Sequence, residues 1–451
     1  MKAALPEHRG WLAAAIGLPA YAFLYDNATS FPGAAGHAWT RLTPLTREVR
    51  LVEIAVIGAL VAFALANGIS RTTRLLLVGS LAFVGVGLSS YLRTANVPLL
   101  DGVRLIYMYL LPLWLFIIGR EAPWGGEPWR RIAMTVLVWA TASAAVSWMQ
   151  LVWFGYPVGD DITGLNKDAH ANGTLMMFVA IHFCAFALFL KDRRRALIPA
   201  LAFLVTMVLS SVLKVMFFGI AALAILFWLY TRADPQRRQA LTRRGLEWAL
   251  VAGLTVAVVG VVFSRLDVLS SERLAPLIAK LREDPSSLGP LKAHEAAFSK
   301  IWVDLPTLLA GRGPFRFANP ISVGQVLDAG RLGRQASGEV LAIQDEKGED
   351  TRITLTSSLL AEFGAPALLT LVLMYGAVGR ELFRSCGDQR VAVRVRAAGI
   401  LGCAAILALV ATSSLFGSID VMSVSWPVML LAGVVCRAAS TPPETASSQS
   451  S

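Results

Sequence analysis

Long apolar runs alternate along the chain with short clusters of charged and turn-forming residues, and the runs have the length of membrane-crossing helices. Such a helix needs about 20 mostly apolar residues. Scanning at that length gives twelve segments, near residues 11–25, 51–69, 74–92, 103–119, 132–154, 173–190, 196–211, 213–231, 247–264, 355–378, 391–412 and 420–437. The first is short and ends in Tyr25-Asp26, but no small-residue cleavage site precedes the polar stretch, so it reads as a retained helix and not a secretory signal.

Lysine and arginine set the orientation, because cytoplasmic connections are enriched in them. Placing the N-terminus inside puts Arg71 and Arg74, Arg130 and Arg131, Lys191 to Arg195, Arg237 to Arg244 and Arg380 to Arg396 all on the cytoplasmic side. The expectation is an all-α integral membrane protein of about twelve helices with both termini cytoplasmic. Residues 1–264 carry nine helices, and 265–354 form one long extracytoplasmic loop between helices 9 and 10. Residues 355–437 carry the last three, and 438–451 form a disordered cytoplasmic tail rich in Ser, Thr and Pro. A loop this long is generally functional. It contains an amphipathic helix around "LKAHEAAFSKIWVDL", then the turn-rich "AGRGPFRFANP" and the polar "QDEKGEDTR".

Composition narrows the class further. The chain is 55% hydrophobic and 16% charged, with a mean hydropathy of +0.60, whereas a soluble domain carries about 25% charged residues. A conventional water-soluble enzyme is excluded. The net charge of +11 resides mostly at the ends of apolar segments, where it fixes orientation, so nucleic acid is not an expected partner. Cys184, Cys403 and Cys436 fall in or beside apolar segments and Cys386 in a basic connection, which gives no disulfide framework.

Cations that break the positive-inside pattern are the informative ones: Arg41, Arg47, Arg50, Arg93, Arg104, Lys167 and Lys214. With Arg265 they make a basic collar at the outer face, suited to a diphosphate or another polyanion; snorkelling of each to lipid headgroups explains them equally. Lys214 sits in the very short turn "LSSVLKVMFFG", where a neutral residue costs less. Glu362, about two turns into the tenth helix, is an intramembrane carboxylate and thus a functional candidate, or else a buried partner for a collar cation. Among the histidines, His8 and His37 read as surface residues and His182 as a hydrogen-bonded core residue. His170 and His294 lie on the collar side and are candidates for proton transfer. No histidine has metal-ligand spacing to a second one, so neither a metal nor another cofactor is expected. Nucleotide-binding, hydrolase-elbow and zinc-protease motifs are missing from the sequence. In "GRGPFRF" the glycines permit a tight turn beside Arg312 and Arg316.

Four stretches carry a family likeness. "ITGLNKDAHANGTLMM" places Gly164 and the Asp168 to Asn172 stretch before a helix, and "MVLSSVLKVMFFGIAAL" places Lys214 in a turn between two helices. "FSKIWVDLPTLLAGRGPFRF" supplies an amphipathic helix with Pro306, Gly311 and Gly313, and "SSLLAEFGAPALLTLVLMYG" supplies a Glu-x-Gly at Glu362 and Gly364. In this order and layout the chain resembles the O-antigen ligase and O-antigen polymerase family of membrane glycosyltransferases. The resemblance implies a GT-C-like fold in the bacterial inner membrane. It also implies transfer of a glycan from an undecaprenyl-type polyprenyl diphosphate to a sugar acceptor at the periplasmic face, without a metal. Family ligases carry a histidine nine residues before the Glu-x-Gly, where this chain has Ile353. That departure favours a polysaccharide polymerase over ligation to a lipid A core.

On this resemblance Arg50, Arg104, Lys214 and Arg265 are expected to hold the diphosphate, with Arg312, Arg316 and Arg352 closing over it from the loop. The acceptor base is expected to be His294, then Glu362, then His170. Expected partners are the lipid-linked oligosaccharide, a glycan or lipid A core acceptor, membrane lipids and proteins of polysaccharide assembly and export. A twelve-helix secondary transporter is the alternative of a different class; its usual paired halves are not evident here.

Overall fold

A computed structural model describes residues 51–66, 68–93, 99–122, 128–156, 162–165, 169–189, 194–209, 222, 225–226, 298–299, 301–302, 304–313, 355–387, 393–415 and 420–440. In chain order the helices are α1 (Leu51–Leu65), α2 (Arg71–Leu92), α3 (Leu99–Glu121), α4 (Pro128–Val152), α5 (Ala169–Phe189) and α6 (Arg194–Leu209). After the short α7 (Leu305–Ala310) come α8 (Leu355–Phe363), α9 (Ala365–Gly387), α10 (Val393–Leu415) and α11 (Asp420–Ser440). Among the described residues there is no strand, and the chain is all-α as expected. The expected helices at 11–25 and 247–264 lie outside the described residues, as does that at 213–231 except for residues 222, 225 and 226.

Two of these helices, Arg71–Leu92 and Ala365–Ser385, are long and apolar enough to cross a membrane. At 1.5 Å per residue the 22 residues of α2 extend about 33 Å. Its faces are not sorted as on a helix in water: Thr73, Ser80 and Ser90 are buried beside Leu76 and Phe83, while Leu75, Val78, Leu81 and Leu92 are exposed. On α4 likewise Ser143 and Ser147 are buried beside Val136 and Ala140, while Val138, Met149 and Val152 are exposed. Exposed apolar side chains of this kind are compatible with contact to lipid, and the buried hydroxyls of Ser80 and Ser147 find carbonyl acceptors within their own helices.

Most of the buried apolar side chains form one cluster to which α2, α3, α5, α9, α10 and α11 all contribute, and a smaller one gathers Ile301, Leu360 and Ala361. The closest pairing is α3 against α11, where glycines let two backbones meet. A methyl group on Gly119 would stand 2.3 Å from the Leu430 carbonyl oxygen, and one on Gly433 would stand 2.2 Å from that of Phe116. Small residues at such crossings are the usual means of packing helices without a hydrophobic driving force.

At one end of this pairing the charged residues form a knot. Arg120 pairs with Glu381 at 3.0 Å, Glu381 accepts from the Thr72 hydroxyl at 3.0 Å, and Glu121 accepts from Thr73 at 2.6 Å and from the Ser70 amide at 3.2 Å. Arg437 closes it by donating to the Glu121 carbonyl at 2.7 Å. Ser70 is also the N-cap of α2, so the knot stands at the opposite end of that helix from Ser90 and Arg93.

The helices differ from the sequence reading at three places. The expected single helix at 355–378 is broken into α8 and α9 at Gly364, whose φ is 82°. Two residues on, Pro366 has no N–H with which to continue the ladder to the Glu362 carbonyl. Beyond the break α9 runs to Gly387, so Arg380, Arg384 and Cys386 are helical, not part of a connection. Likewise α11 reaches Ser440, which makes 438–440 the last turn of a helix and not the start of the tail.

Candidate functional site

The break in α8–α9 creates the most constrained polar structure at its end of the bundle. A helix that stops leaves carbonyls without intrahelical donors, and inside a membrane these must be satisfied by protein. Here the loop supplies them. The Arg312 amide donates to the Ala361 carbonyl at 2.8 Å and the Gly313 amide to that of Glu362 at 3.0 Å. The Ser90 hydroxyl at the end of α2 donates a short hydrogen bond to the same Glu362 oxygen.

Glycine is required on both sides of this contact. With φ of 68° and 104°, Gly311 and Gly313 adopt left-handed backbone, as does Gly364. A methyl group on Gly311 would lie 2.3 Å from the Glu362 oxygen, and one on Gly364 would lie 2.7 Å from the Leu308 oxygen and 2.8 Å from the Gly311 nitrogen. Two backbones are therefore pressed together by three glycines from two distant motifs.

Local sequence builds the loop side of the latch. Asp304 caps α7 by accepting from the Thr307 amide at 2.6 Å, and Pro306 stands in the first turn, where a missing N–H costs nothing. The Gly311 amide closes the helix on the Thr307 carbonyl at 2.8 Å. Bonding to Thr307, through its amide and then its hydroxyl, holds the Asp304 carboxyl below its ordinary range, and the nearby Arg93 charge adds to this. Arg93 itself reaches from the end of α2 and donates to the carbonyls of Pro306 at 2.7 Å and Gly311 at 3.0 Å. Its second amino group lies 3.4 Å from the Thr307 hydroxyl. One of the collar cations thus clamps the loop to the bundle. Ile301 and Leu308 complete the seat by packing on Leu360, Ala361, Ala365 and Leu368.

A second constrained motif lies at the start of α5. The fully buried Asn172 accepts from the Ser143 hydroxyl at 2.9 Å and donates to Ser147 at 2.9 Å. Ser143 also accepts from the Leu165 amide at 2.9 Å, and Gln150 accepts from the Gly164 amide at 2.8 Å. Gly164, with φ of 60°, has the Ser143 hydroxyl 2.4 Å from where its methyl would be. The 162–165 turn is thereby fixed to α4 by a closed side-chain network.

The candidate residues fall unevenly on this frame. Glu362 is fully buried beneath the Gly311–Gly313 turn, and Arg312 is exposed on that turn with its backbone held in the latch. Arg104 lies in the second turn of α3 and His170 at the start of α5. Arg50, Lys214, Arg265, His294, Arg316 and Arg352 lie outside the described residues. His182 rests edge-on against Phe186 at 4.6 Å, an aromatic packing that fits a core role. The structure brings together Glu362, Gly364, Pro306, Gly311, Arg312 and Gly313, and adds Ser90, Arg93 and Asp304, which were not singled out as partners of the turn. The Asp304 cap has a readable signal in an aspartate just ahead of Pro306; the pairing of Ser90 and Arg93 with residues more than 200 positions away has none.

No protein-family model matches the chain, and no curated protein matches it significantly.

Proposed function

We propose that the protein is a multi-pass glycosyltransferase of the bacterial inner membrane. It moves a glycan from a polyprenyl diphosphate carrier to a sugar hydroxyl at the periplasmic face, most consistently as a polysaccharide polymerase. The observation that supports this reading is the latch itself. The two stretches that carry the family likeness in the loop and in the tenth expected helix meet there, through backbone contacts that only their glycines permit. The exposed apolar side chains of α2 and α4 support the membrane setting, and the twelve-helix layout with cytoplasmic termini belongs to the same proposal.

The chemistry asks for two things: stabilisation of the departing diphosphate and removal of the acceptor proton. In the proposal Arg50, Arg104, Lys214 and Arg265 supply the first, with Arg312, Arg316 and Arg352 closing from the loop. Holding the Arg312 backbone rigid while its side chain stays exposed suits that role. His294 takes the acceptor proton, with Glu362 and His170 as the next candidates. Because Glu362 is sealed under the turn, it reaches an acceptor only when the turn lifts. Ile353 in place of the ligase histidine favours chain extension over transfer to a lipid A core.

A transporter is the second reading, favoured by one observation: a membrane helix interrupted at glycine and proline, as at Gly364 and Pro366, is a recurrent feature of substrate sites in carriers. Purified protein given a polyprenyl-diphosphate-linked repeat unit separates the two. Longer carrier-linked glycans with release of polyprenyl diphosphate, both lost in Lys214→Ala, support the enzyme. Movement of the substrate across a vesicle without any change in its covalent structure overturns it.

A further inference from the structure

The loop segment that seats the latch has a second face, and that face is unsuited to water. Ile301 and Leu308 turn inward onto α8 and α9, whereas Phe298, Trp302, Leu305 and Leu309 turn outward, with Trp302 at 73% and Leu305 at 65% exposure. Leu305 and Leu309, four residues apart, share one face of α7, and Phe298 and Trp302, four apart in the chain, are exposed just ahead of its Asp304 cap. The Pro306 carbonyl and the Thr307 hydroxyl are engaged by Arg93 instead, and the Thr307 amide by the Asp304 cap.

The surroundings decide what covers these side chains. The short helix α7 packs against α2 and α9, the same two helices that are long and apolar enough to cross a membrane. Next to it, α2 exposes Leu88 and Leu92 and α9 exposes Leu369, Val372 and Leu373, so the apolar surface runs on from the bundle onto the loop. The segment also lies level with the end of α2 and the beginning of α9, beside the Arg93 guanidinium. That level is the boundary between hydrocarbon and headgroups, where tryptophan and snorkelling arginine are enriched.

We infer that residues Phe298 to Leu309 form an interfacial anchor. Phe298, Trp302, Leu305 and Leu309 lie in the outer-leaflet lipid at headgroup depth and hold the latched part of the long loop against the membrane. The occupant is bilayer lipid, and the inference rests on the membrane reading given under Proposed function. Insertion sets the height of the Gly311–Gly313 turn relative to the bilayer, and with it the height at which the exposed Arg312 meets a lipid-borne anion.

The test uses the full chain in nanodiscs containing phosphatidylcholine brominated either near the headgroup or near the chain end. Cys386 is replaced by serine, while the buried Cys184, Cys403 and Cys436 are left in place. An environment-sensitive fluorophore is attached to Trp302→Cys, to Leu309→Cys or, as the reference on the exposed face of α9, to Val372→Cys. The expected result is loss of fluorescence at all three positions, with the two loop positions quenched more by bromine near the headgroup than by bromine near the chain end. Quenching at Val372→Cys without quenching at the loop positions overturns the anchor and leaves the membrane reading intact. Absence of quenching at all three overturns both. A blue-shifted loop probe that bromolipid does not quench places protein on these side chains and also overturns the proposal. Because all three side chains are exposed, the variants do not depend on repacking the core.

Discussion

Replacing Gly364 by alanine isolates the contact between loop and bundle. At φ of 82° the residue is in left-handed backbone, which costs an L side chain about 1–2 kcal/mol. The added methyl also lies 2.7 Å from the Leu308 oxygen and 2.8 Å from the Gly311 nitrogen, and both are backbone atoms that cannot swing aside. The loop must therefore withdraw. Withdrawal removes the hydrogen bonds from Arg312 and Gly313 to the Ala361 and Glu362 carbonyls, each contributing about 0.5–1.5 kcal/mol. Together these give about 2–5 kcal/mol in the latch equilibrium, or roughly 30-fold to a few thousand-fold. Hydrogen exchange followed by mass spectrometry reads this directly, because the amides of Arg312 and Gly313 are protected only while the latch is closed. The matched control is Gly376→Ala in α9, where nothing lies within 4 Å of the new methyl. Faster exchange over 304–313 in Gly364→Ala, but not in Gly376→Ala, is the expected outcome. Equal protection in the two variants would refute the reasoning.

Three further perturbations follow from the same geometry. Arg93→Ala removes the clamp on the Pro306 and Gly311 carbonyls, weakening the latch by about 1–2 kcal/mol. Arg93→Lys restores only part of this, because a single ammonium lacks the planar fork; exchange over 304–313 orders the three proteins. Glu381→Ala removes the ion-pair partner of the partly buried Arg120 and lowers stability by about 1–3 kcal/mol. In a detergent melting assay the double variant Arg120→Ala/Glu381→Ala is therefore more stable than Glu381→Ala alone. The depressed Asp304 carboxyl makes the α7 cap pH-dependent in one direction. Its contribution is fully present above about pH 4, the unfolded value, and is lost as pH falls through the lower folded value. Protection of the Thr307 amide should thus drop at strongly acid pH in the native protein and not in Asp304→Asn, which keeps a capping oxygen that does not titrate over this range.

How far the sequence reached is instructive at particular residues. Helices such as α2 and α5 were legible because a long apolar run is a signal carried locally along the chain. The break at Gly364 was hidden because "SSLLAEFGAPALLTLVLMYG" is predominantly apolar on both sides of Glu362, and a single glycine in such a run gives no hydropathy signal of an interruption. Pro366 was the available signal, since it removes the donor for the Glu362 carbonyl. Gly311, Gly313, Glu362 and Gly364 were singled out from separate stretches, and the structure joins them in one contact. Arg93 was read as one of several outer cations, and its role as a clamp depends on carbonyls that only the folded loop presents. The knot of Arg120, Glu121, Glu381 and Arg437 stayed invisible because its members are scattered over more than 300 residues and each looks like an ordinary helix-end charge.

The central claim, glycan chain extension from a lipid diphosphate, is tested most directly by the surface glycan profile of a strain lacking the protein. Native protein, Lys214→Ala and His294→Ala are then reintroduced at matched membrane abundance. Accumulation of single repeat units in the null and Lys214→Ala strains, with long chains restored by the native protein, is the predicted result. Full-length glycan retained on its lipid carrier would contradict the polymerase in favour of a ligase, and a profile identical to wild type would contradict glycosyl transfer altogether.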